Sequence, residues 1–117
     1  MSKGRSFLIL GCGGFIGSHF LDRLFSDETS FVEGYDLDST KIRQHLRNPR
    51  FRFNNICIHE AHASGRLEQS IANADVVLNL AAICNPSEYN KHPLNVIRQN
   101  CFYIIPVLEA CARLNSA

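Results

Sequence analysis

One stretch near the N-terminus, residues 7–21, constrains the fold more than any other part of the chain. Four consecutive apolar residues (7–10) precede a cluster of glycines, which leads into an amphipathic segment. A short apolar run that ends in a glycine turn and continues as a helix is typical of a central parallel strand covered on both faces. The first N–H groups of such a helix lack internal partners, so the turn predicts an anion site.

The glycines of this turn follow the spacing G-x-x-G-x-x-G, with an extra glycine at position 13. We expect Gly11 to let the chain turn sharply off the strand and Gly14 to let the backbone approach a pyrophosphate. Gly17 would let the new helix pack closely on the sheet. A glycine pattern alone is weak evidence, because unrelated proteins also use glycine turns.

An acidic residue at the end of the next apolar segment strengthens this interpretation. Asp36 lies 19 positions after Gly17 (36 − 17), close to the roughly 20 expected for the carboxylate that binds a ribose diol. Strand, glycine turn, helix and acid together predict a dinucleotide site. The alternative is a glycine turn in an unrelated α/β protein, with Asp36 as a helix cap.

Four segments predict the strands of one sheet, at residues 7–10, 31–36, 51–54 and 75–82. The third alternates apolar and polar residues, which favours an edge position, whereas the fourth has the composition of a buried strand. Because strands and helices alternate, we expect an α/β fold with a parallel sheet in the order 3-2-1-4 and helices on both faces. The glycine turn and the residues after strand four would then open on to one crevice.

The helices are predicted from apolar spacing and capping residues. The first covers 14–25, the second begins at Ser39 or Thr40 as its cap, the third covers 59–73 with Gly65 as a weak point, and the last begins at Pro93. Pro106 should kink the last helix, because it removes an internal hydrogen bond. The spacing predicts apolar faces made of Ile16, Phe20, Leu21, Leu24 and Phe25 in the first helix, and of Ile97, Cys101, Ile104, Ile105, Leu108, Cys111 and Ala112 in the last.

Composition indicates one modest globular domain in a reducing compartment. The chain has 117 residues, 45% of them hydrophobic and 20% charged, with a net charge of +1. Nothing in this balance points to nucleic acid or a membrane surface as a partner, and no apolar run is long enough to span a bilayer. The five cysteines form no C-x-x-C pair and lie in apolar stretches, so we expect free thiols and a cytoplasmic protein.

One segment with two histidines differs from a known metal-binding motif. The segment His59-Glu60-Ala61-His62 differs from H-E-x-x-H, because its second histidine comes one position early. Two histidines at i and i+3 can share a helix face, but no third ligand is evident. We interpret the segment as the solvated start of a helix and predict no metal.

A small basic cluster, Arg47, Arg50 and Arg52, is interpreted as solvated surface. A role in binding a cofactor phosphate would require a 2′-phosphate at the end of strand two. The negative charge of Asp36 would repel that group, so we expect NAD rather than NADP.

The glycine turn, Asp36, the segment 79–82 and Asn100 resemble the extended short-chain dehydrogenase/reductase family of nucleotide-sugar epimerases, dehydratases and decarboxylases. The loop after strand four narrows the resemblance, because Pro86, Tyr89 and Pro93 form the pattern P-x-x-Y-x-x-x-P. That pattern is similar to the branch of UDP-glucuronate decarboxylases and UDP-apiose/xylose synthases. The resemblance covers nearly the whole chain. It implies a partial Rossmann fold, NAD as cofactor and a UDP-sugar as substrate of the parent enzyme.

The resemblance also implies roles for individual residues. After strand three the family usually has Asp and an aliphatic residue against adenine, and here Asn55-Ile56 stands in that place without the charge. Substrate contacts would fall on Cys84, which has no evident activating base near it in the sequence, and on Tyr89, which could equally pack under its own loop. The implied cofactor-binding set is Gly11, Gly14, Phe15, Ile16, Gly17, Asp36, Asn55, Ile56, Leu80, Ala81, Ala82 and Asn100.

The residues that perform chemistry in the resembling family have no counterpart here. No tyrosine is followed four positions later by a lysine, since Ser39, Pro93 and Val107 stand there after Tyr35, Tyr89 and Tyr103. We therefore expect residues 1–117 to be the NAD-binding domain of a longer enzyme, truncated before its Tyr/Lys pair and sugar-binding region. We expect it to be inactive alone and to self-associate or form a homodimer.

Three functions remain open from the sequence. The first is a part of a UDP-glucuronate decarboxylase or UDP-apiose/xylose synthase. The second is a part of a nucleotide-sugar epimerase or dehydratase, which the parent's acid and base residues would distinguish. The third is a stand-alone module that binds NAD or a partner without catalysis.

Overall fold

A computed structural model describes residues 4–27, 29–81 and 90–114. They form a four-stranded sheet with helices packed on both of its faces. The strands are β1 (Ser6–Leu10), β2 (Phe31–Tyr35), β3 (Phe51–Asn54) and β4 (Val76–Asn79). The α-helices are α1 (Phe15–Phe25), α2 (Ile58–Ala63), α3 (Arg66–Asn73), α4 (Pro93–Ile97) and α5 (Ile105–Leu114); a 3₁₀ helix spans Thr40–His45 and a π turn spans Arg98–Phe102.

The sheet is parallel throughout, with the order β3-β2-β1-β4. Leu10 at the end of β1 pairs with Tyr35 on one side and with Asn79 on the other, so three strands end at the same level. The predicted α/β fold and strand order are confirmed. The carboxyl ends of β1, β2 and β4 form one edge, from which the glycine turn departs.

Two apolar clusters, one on each face of the sheet, hold the helices in place. Leu8 and Leu10 face one cluster and Ile9 faces the other, and all three are fully buried. The first cluster receives α3 and α5 through Leu67, Ile71, Val107 and Ala110. The second receives α1 and the 3₁₀ helix through Leu21 and Ile42. The prediction that β1 is covered on both faces is therefore confirmed.

The predicted burial of strand four is wrong for its apolar residues. Val76, Val77 and Leu78 are only half-buried, because β4 is an edge strand of the described sheet and pairs with β1 alone. The predicted edge character of β3 is confirmed. Its Asn54 is buried, however, and its amide donates to the Glu33 carboxylate and the Gly34 carbonyl oxygen.

The predicted apolar face of α1 is only partly buried. Leu21 is fully buried, but Ile16 is 58% exposed and Phe20 is 38% exposed. The other buried residues of the helix are small, namely Gly17 and Ser18. Amphipathic spacing located the helix correctly but did not identify which apolar residues would find a covering surface.

The second and third predicted helices differ from the structure in detail. Neither Ser39 nor Thr40 caps the 3₁₀ helix; the Asp38 carboxylate accepts the Thr40 N–H at 2.9 Å instead. The predicted helix 59–73 divides into α2 and α3 at Gly65. Its φ of +79° lies outside the right-handed α-helical region.

The last predicted helix is interrupted before Pro106. After α4 the backbone widens into the π turn, where the Tyr103 N–H donates to the Arg98 carbonyl oxygen at 2.9 Å. Pro106 then stands in the first turn of α5, where its missing N–H costs nothing. The predicted apolar face is also wrong in part, since Ile97, Ile105 and Leu108 are about half-exposed or more, while Val107 and Ala110 are buried.

The described helices include no segment long and apolar enough to cross a membrane.

Candidate functional site

The glycine turn and the residues after β4 meet, as the sequence predicts. Gly11 has a φ of +84°, and its N–H donates to the Tyr35 carbonyl oxygen at 2.8 Å. A Cβ atom added to Gly11 would lie 2.7 Å from the Ala81 nitrogen. Glycine is required at this position by conformation and by space, because the turn folds directly against the end of β4.

Gly17 is also required by space, although its neighbour differs from the predicted one. An added Cβ atom would lie 2.6 Å from the Gly11 carbonyl oxygen and 2.7 Å from that of Cys12. The first turn of α1 therefore packs on the backbone of the glycine turn rather than on the strands.

Gly14 has no such requirement within the described chain. Its φ of −78° suits any residue, and the nearest atom to an added Cβ is the Gly11 carbonyl oxygen at 3.6 Å, an ordinary contact. The space in front of Gly14 is open, at the N-terminus of an 11-residue helix. That position leaves room for a group that approaches the helix N-terminus from outside.

Gly13, which lies outside the G-x-x-G-x-x-G pattern, is required by space. An added Cβ atom would lie 1.8 Å from the Asp38 carbonyl oxygen, so the loop after β2 can cross only a glycine here. The Gly13 N–H donates to Asp36 Oδ2 at 2.8 Å. The only sign of this requirement in the sequence is that Gly13 directly precedes Gly14.

The Asp36 carboxylate is held in one orientation by backbone donors. Oδ2 accepts from Gly13, and Oδ1 accepts from the N–H groups of Leu37 at 2.6 Å and Asp38 at 3.2 Å. These charge-assisted bonds fix the carboxylate at the edge of a crevice, where its remaining lone pairs can accept further hydrogen bonds.

The crevice beside Asp36 unites residues from five parts of the chain. Its walls are Gly11, Tyr35, Asp36, Leu37, Ile56, Cys57, Ile58, Ala81 and Gln99. Four predicted cofactor-binding residues are among them: Gly11, Asp36, Ile56 and Ala81.

Other predicted residues lie elsewhere. Asn55 is exposed outside the crevice wall, and Leu80 packs against the apolar cluster on the opposite face of the sheet from Ala81.

Phe15 and Ile16 are exposed at the start of α1, where they line a separate apolar groove with Phe20. Ala82, Cys84 and Tyr89 lie outside the described residues.

The terminal helical segment contributes Gln99 to the crevice, which sequence reasoning missed. The predicted Asn100 is exposed and does not belong to the wall, whereas Gln99 is half-buried in it. The π turn determines which of these neighbours faces the crevice. No periodicity in the sequence reports such a turn, because it adds one residue to a helical repeat.

Cys12 is the residue between Gly11 and Gly13, and its side chain packs the turn against β2. Its side chain is fully buried, and its Sγ occupies the space in which a Cβ atom of Gly34 would lie, 2.5 Å away. Burial, followed by the negative charge of Asp36, raises the pKa of the Cys12 thiol to about 12. Cys12 is therefore a packing group and not a nucleophile.

The histidines of the segment 59–62 and Arg50 of the basic cluster have structural partners. The His59 ring stacks on Tyr103 with centroids 4.5 Å apart, and His62 bonds to Glu68. Arg50 donates to the carbonyl oxygens of Asp27 and Ser30, at the amino end of the sheet. Among the described residues no group of three His, Cys, Asp or Glu side chains is placed to hold a metal.

A larger surface cavity, of ≈ 450 Å³, lies among Gly4, Arg5, Phe7, Arg23 and neighbouring loop residues. It is at the amino ends of the strands, opposite the glycine turn. Ligands of open parallel sheets bind beyond the carboxyl ends, so the crevice beside Asp36 is the better candidate despite its smaller size.

Comparison with known proteins gives the same family from sequence and from structure. The family model of the "NAD dependent epimerase/dehydratase family" matches residues 7–117. UDP-D-apiose/UDP-D-xylose synthase 2 of Arabidopsis thaliana is 37% identical over 120 residues, which cover 97% of this chain and 30% of the plant protein. The chain thus spans about a third of the length of the relatives it matches.

Solved structures agree with this assignment. The PbgP3 protein from Burkholderia pseudomallei superposes with a TM-score of 0.85 and 28% identity, over 96% of this chain and 36% of that one. UDP-glucuronic acid 4-epimerase from Bacillus cereus, in complex with UDP-glucuronic acid and NAD, superposes with a TM-score of 0.79 and 28% identity, over 91% and 36% of the two chains. The chain therefore belongs to the NAD-dependent epimerase/dehydratase family.

Proposed function

We propose that this chain is the NAD-binding part of a nucleotide-sugar-modifying enzyme of the UDP-glucuronate decarboxylase or UDP-apiose/xylose synthase type. The observation that carries the proposal is the Asp36 carboxylate, which Gly13 holds at the crevice beside the glycine turn. A fixed carboxylate there is suited to a ribose diol, and the open space at Gly14 is suited to a pyrophosphate.

Different residues of the chain would bind different parts of the cofactor. The glycine turn with Phe15 and Ile16 would hold the pyrophosphate, and Ile56 would contact adenine. Asn55 would keep one hydrogen bond there without the charge of an aspartate. Ala81 and Ala82 would line the path toward the nicotinamide, with Cys84 and Tyr89 nearer the sugar nucleotide, whereas Leu80 and Asn100 lie outside the crevice wall.

The branch and substrate are inferred from relatives. The plant proteins at 37–38% identity are UDP-D-apiose/UDP-D-xylose synthases. When bound, NAD would supply reversible hydride acceptance from the sugar. The contribution of this chain would be to bind and orient the dinucleotide at the switch point of the sheet.

An epimerase is the second candidate. It is favoured by the likeness to the UDP-glucuronic acid 4-epimerase of Bacillus cereus. Both candidates share the cofactor site and would differ in acid and base residues that the 117 positions do not include. A non-catalytic NAD-binding module is the remaining alternative.

Calorimetric titration with NAD tests the cofactor site. Replacement of Asp36 by Asn removes the charge that accepts from the ribose hydroxyls, and we expect binding to weaken by about 1–3 kcal/mol. Asp27→Asn is a matched control, because Asp27 lies in an exposed loop at the other end of the sheet. Equal NAD affinities for the wild-type and Asp36→Asn chains would remove Asp36 from the site.

The second test is of turnover. We expect no release of CO₂ and no NADH from UDP-glucuronate with the purified 117-residue chain, because a tyrosine acid/base with a lysine four residues later does not occur in it. Addition of NAD at saturating concentration should leave this result unchanged. Turnover by the chain alone would show that its acid and base are other residues.

A further inference from the structure

Gln99 is the least explained polar residue of the crevice. It lies in the π turn that follows α4, and it lines the wall together with Asp36 and Ile56. π turns within helices occur frequently at functional sites, because they rotate a residue out of the regular helical register. Here the turn places Gln99 at the crevice and leaves Asn100 exposed.

An aromatic stack links this turn to the helix on the other side of the crevice. The rings of His59 in α2 and Tyr103 after the π turn lie 4.5 Å apart and within 19° of parallel. His59 directly follows Ile58, another residue of the wall. The stack therefore ties the segment that carries Gln99 to the segment that carries Ile56 and Ile58.

The other polar side chains of the wall already have partners. The Tyr35 hydroxyl is hydrogen-bonded to Ser70 at 2.8 Å, and the Cys57 sulfur accepts from the Glu60 N–H. Asp36 accepts from backbone donors and offers no donor of its own. Within residues 4–27, 29–81 and 90–114, no hydrogen bond engages the Gln99 side-chain amide, which carries both a donor and an acceptor.

The remainder of the wall suits the face of a flat ring. Ile56 and Ile58 are half-buried and Leu37 is exposed, so apolar surface remains available beside Asp36. A side-chain amide pairs with two groups on one edge of adenine, accepting from N6 and donating to N7.

We propose that Gln99 recognises the adenine of the dinucleotide through this edge and so sets the preference for adenine over other purines. The inference rests on the proposed NAD-binding function. Leu37, Ile56 and Ile58 supply the apolar surface, Asp36 holds the ribose, and Gln99 reads the N6 and N7 groups.

The test compares NAD with nicotinamide hypoxanthine dinucleotide, in which an oxygen acceptor replaces the N6 amino donor. An amide that bonds both adenine groups retains one bond with hypoxanthine, so the wild-type chain should prefer NAD by about 3- to 10-fold. Calorimetry on Gln99→Leu should show this preference reduced to less than about twofold, mainly through weaker NAD binding. Gln99→Met, which keeps an unbranched side chain of similar length, should behave in the same way.

Gln69→Leu is the matched control, because Gln69 is exposed in α3 outside the crevice, and it should keep the wild-type preference. Circular dichroism establishes that each variant is folded. Retention of the wild-type preference by both Gln99 variants, or an equal loss of affinity for the two dinucleotides, overturns the inference while leaving NAD binding intact. Failure of the wild-type chain to bind either dinucleotide overturns the proposed function and this inference with it.

Discussion

At the scale of single residues, the turn and the end of β2 are joined position by position. The Gly11 N–H bonds to Tyr35, the Cys12 sulfur packs on Gly34, and the Gly13 N–H bonds to Asp36. Any change in the distance between turn and strand would alter all three contacts. The position of the Asp36 carboxylate thus depends on the Cys12 thiol fitting into the space that Gly34 leaves by having no side chain.

Gly34→Ala tests this match. The added methyl group would lie 2.5 Å from Cys12 Sγ and 3.1 Å from a Phe51 ring carbon, so we expect a loss of about 1–3 kcal/mol in the free energy of unfolding. On a Cys12→Ala background the same substitution should cost less, because the sulfur is gone. Urea denaturation of the four chains of this double-mutant cycle measures the difference. An equal cost on both backgrounds would show that the two side chains do not compete for space.

At the scale of elements, the breaks between helices are set by individual backbone conformations. Gly65 separates α2 from α3 with its φ of +79°, and the π turn with Pro106 separates α4 from α5. Both breaks end a helical segment that contributes a residue to the crevice wall. The wall formed by Ile58 and Gln99 depends on them.

Gly65→Ala measures the free-energy cost of the left-handed backbone at the break between α2 and α3. A Cβ atom there would meet nothing within 4 Å, so the cost arises only from the left-handed backbone, and we expect about 1 kcal/mol of destabilisation. Gly65→Asn should cost less, because asparagine tolerates this region better than alanine. Thermal unfolding of the two variants gives the ranking, and a more stable Ala than Asn variant would refute the explanation.

At the scale of the whole molecule, many large apolar side chains of the described residues are exposed. Leu94, Phe102 and Leu108 in the terminal helical segment are each more than half exposed. The edge of β4 adds backbone groups that an antiparallel or parallel partner strand can pair with.

We expect the isolated chain to self-associate through this terminal helical face, the β4 edge, or both. Sedimentation velocity over a dilution series should show an average mass that rises with concentration. Leu108→Glu should reduce association if the helical face is used, whereas Leu46→Glu, a matched change at the 3₁₀ helix, should not. A monomer at high concentration with slow amide exchange along residues 76–80 would show that the edge is protected within the chain.

The sequence alone determined the topology and the location of the glycine turn, because these follow from local chemistry. Alternation of strands and helices leads to a parallel sheet, and a glycine turn between strand and helix needs no distant partner to be identified. Asp36 was found for the same reason, through its spacing from Gly17. The match to the family model over residues 7–117 agrees with the predicted family.

The tertiary structure alone decided which apolar residues are buried and which neighbour of a pair faces the site. Ile16 and Phe20 have the spacing of a buried face, yet no described element covers them. Gly13 is required because a loop 25 residues later crosses it (38 − 13), and Gln99 reaches the crevice because a π turn shifts the helical register. These outcomes depend on contacts between distant parts of the chain, which hydrophobic periodicity along the sequence does not contain.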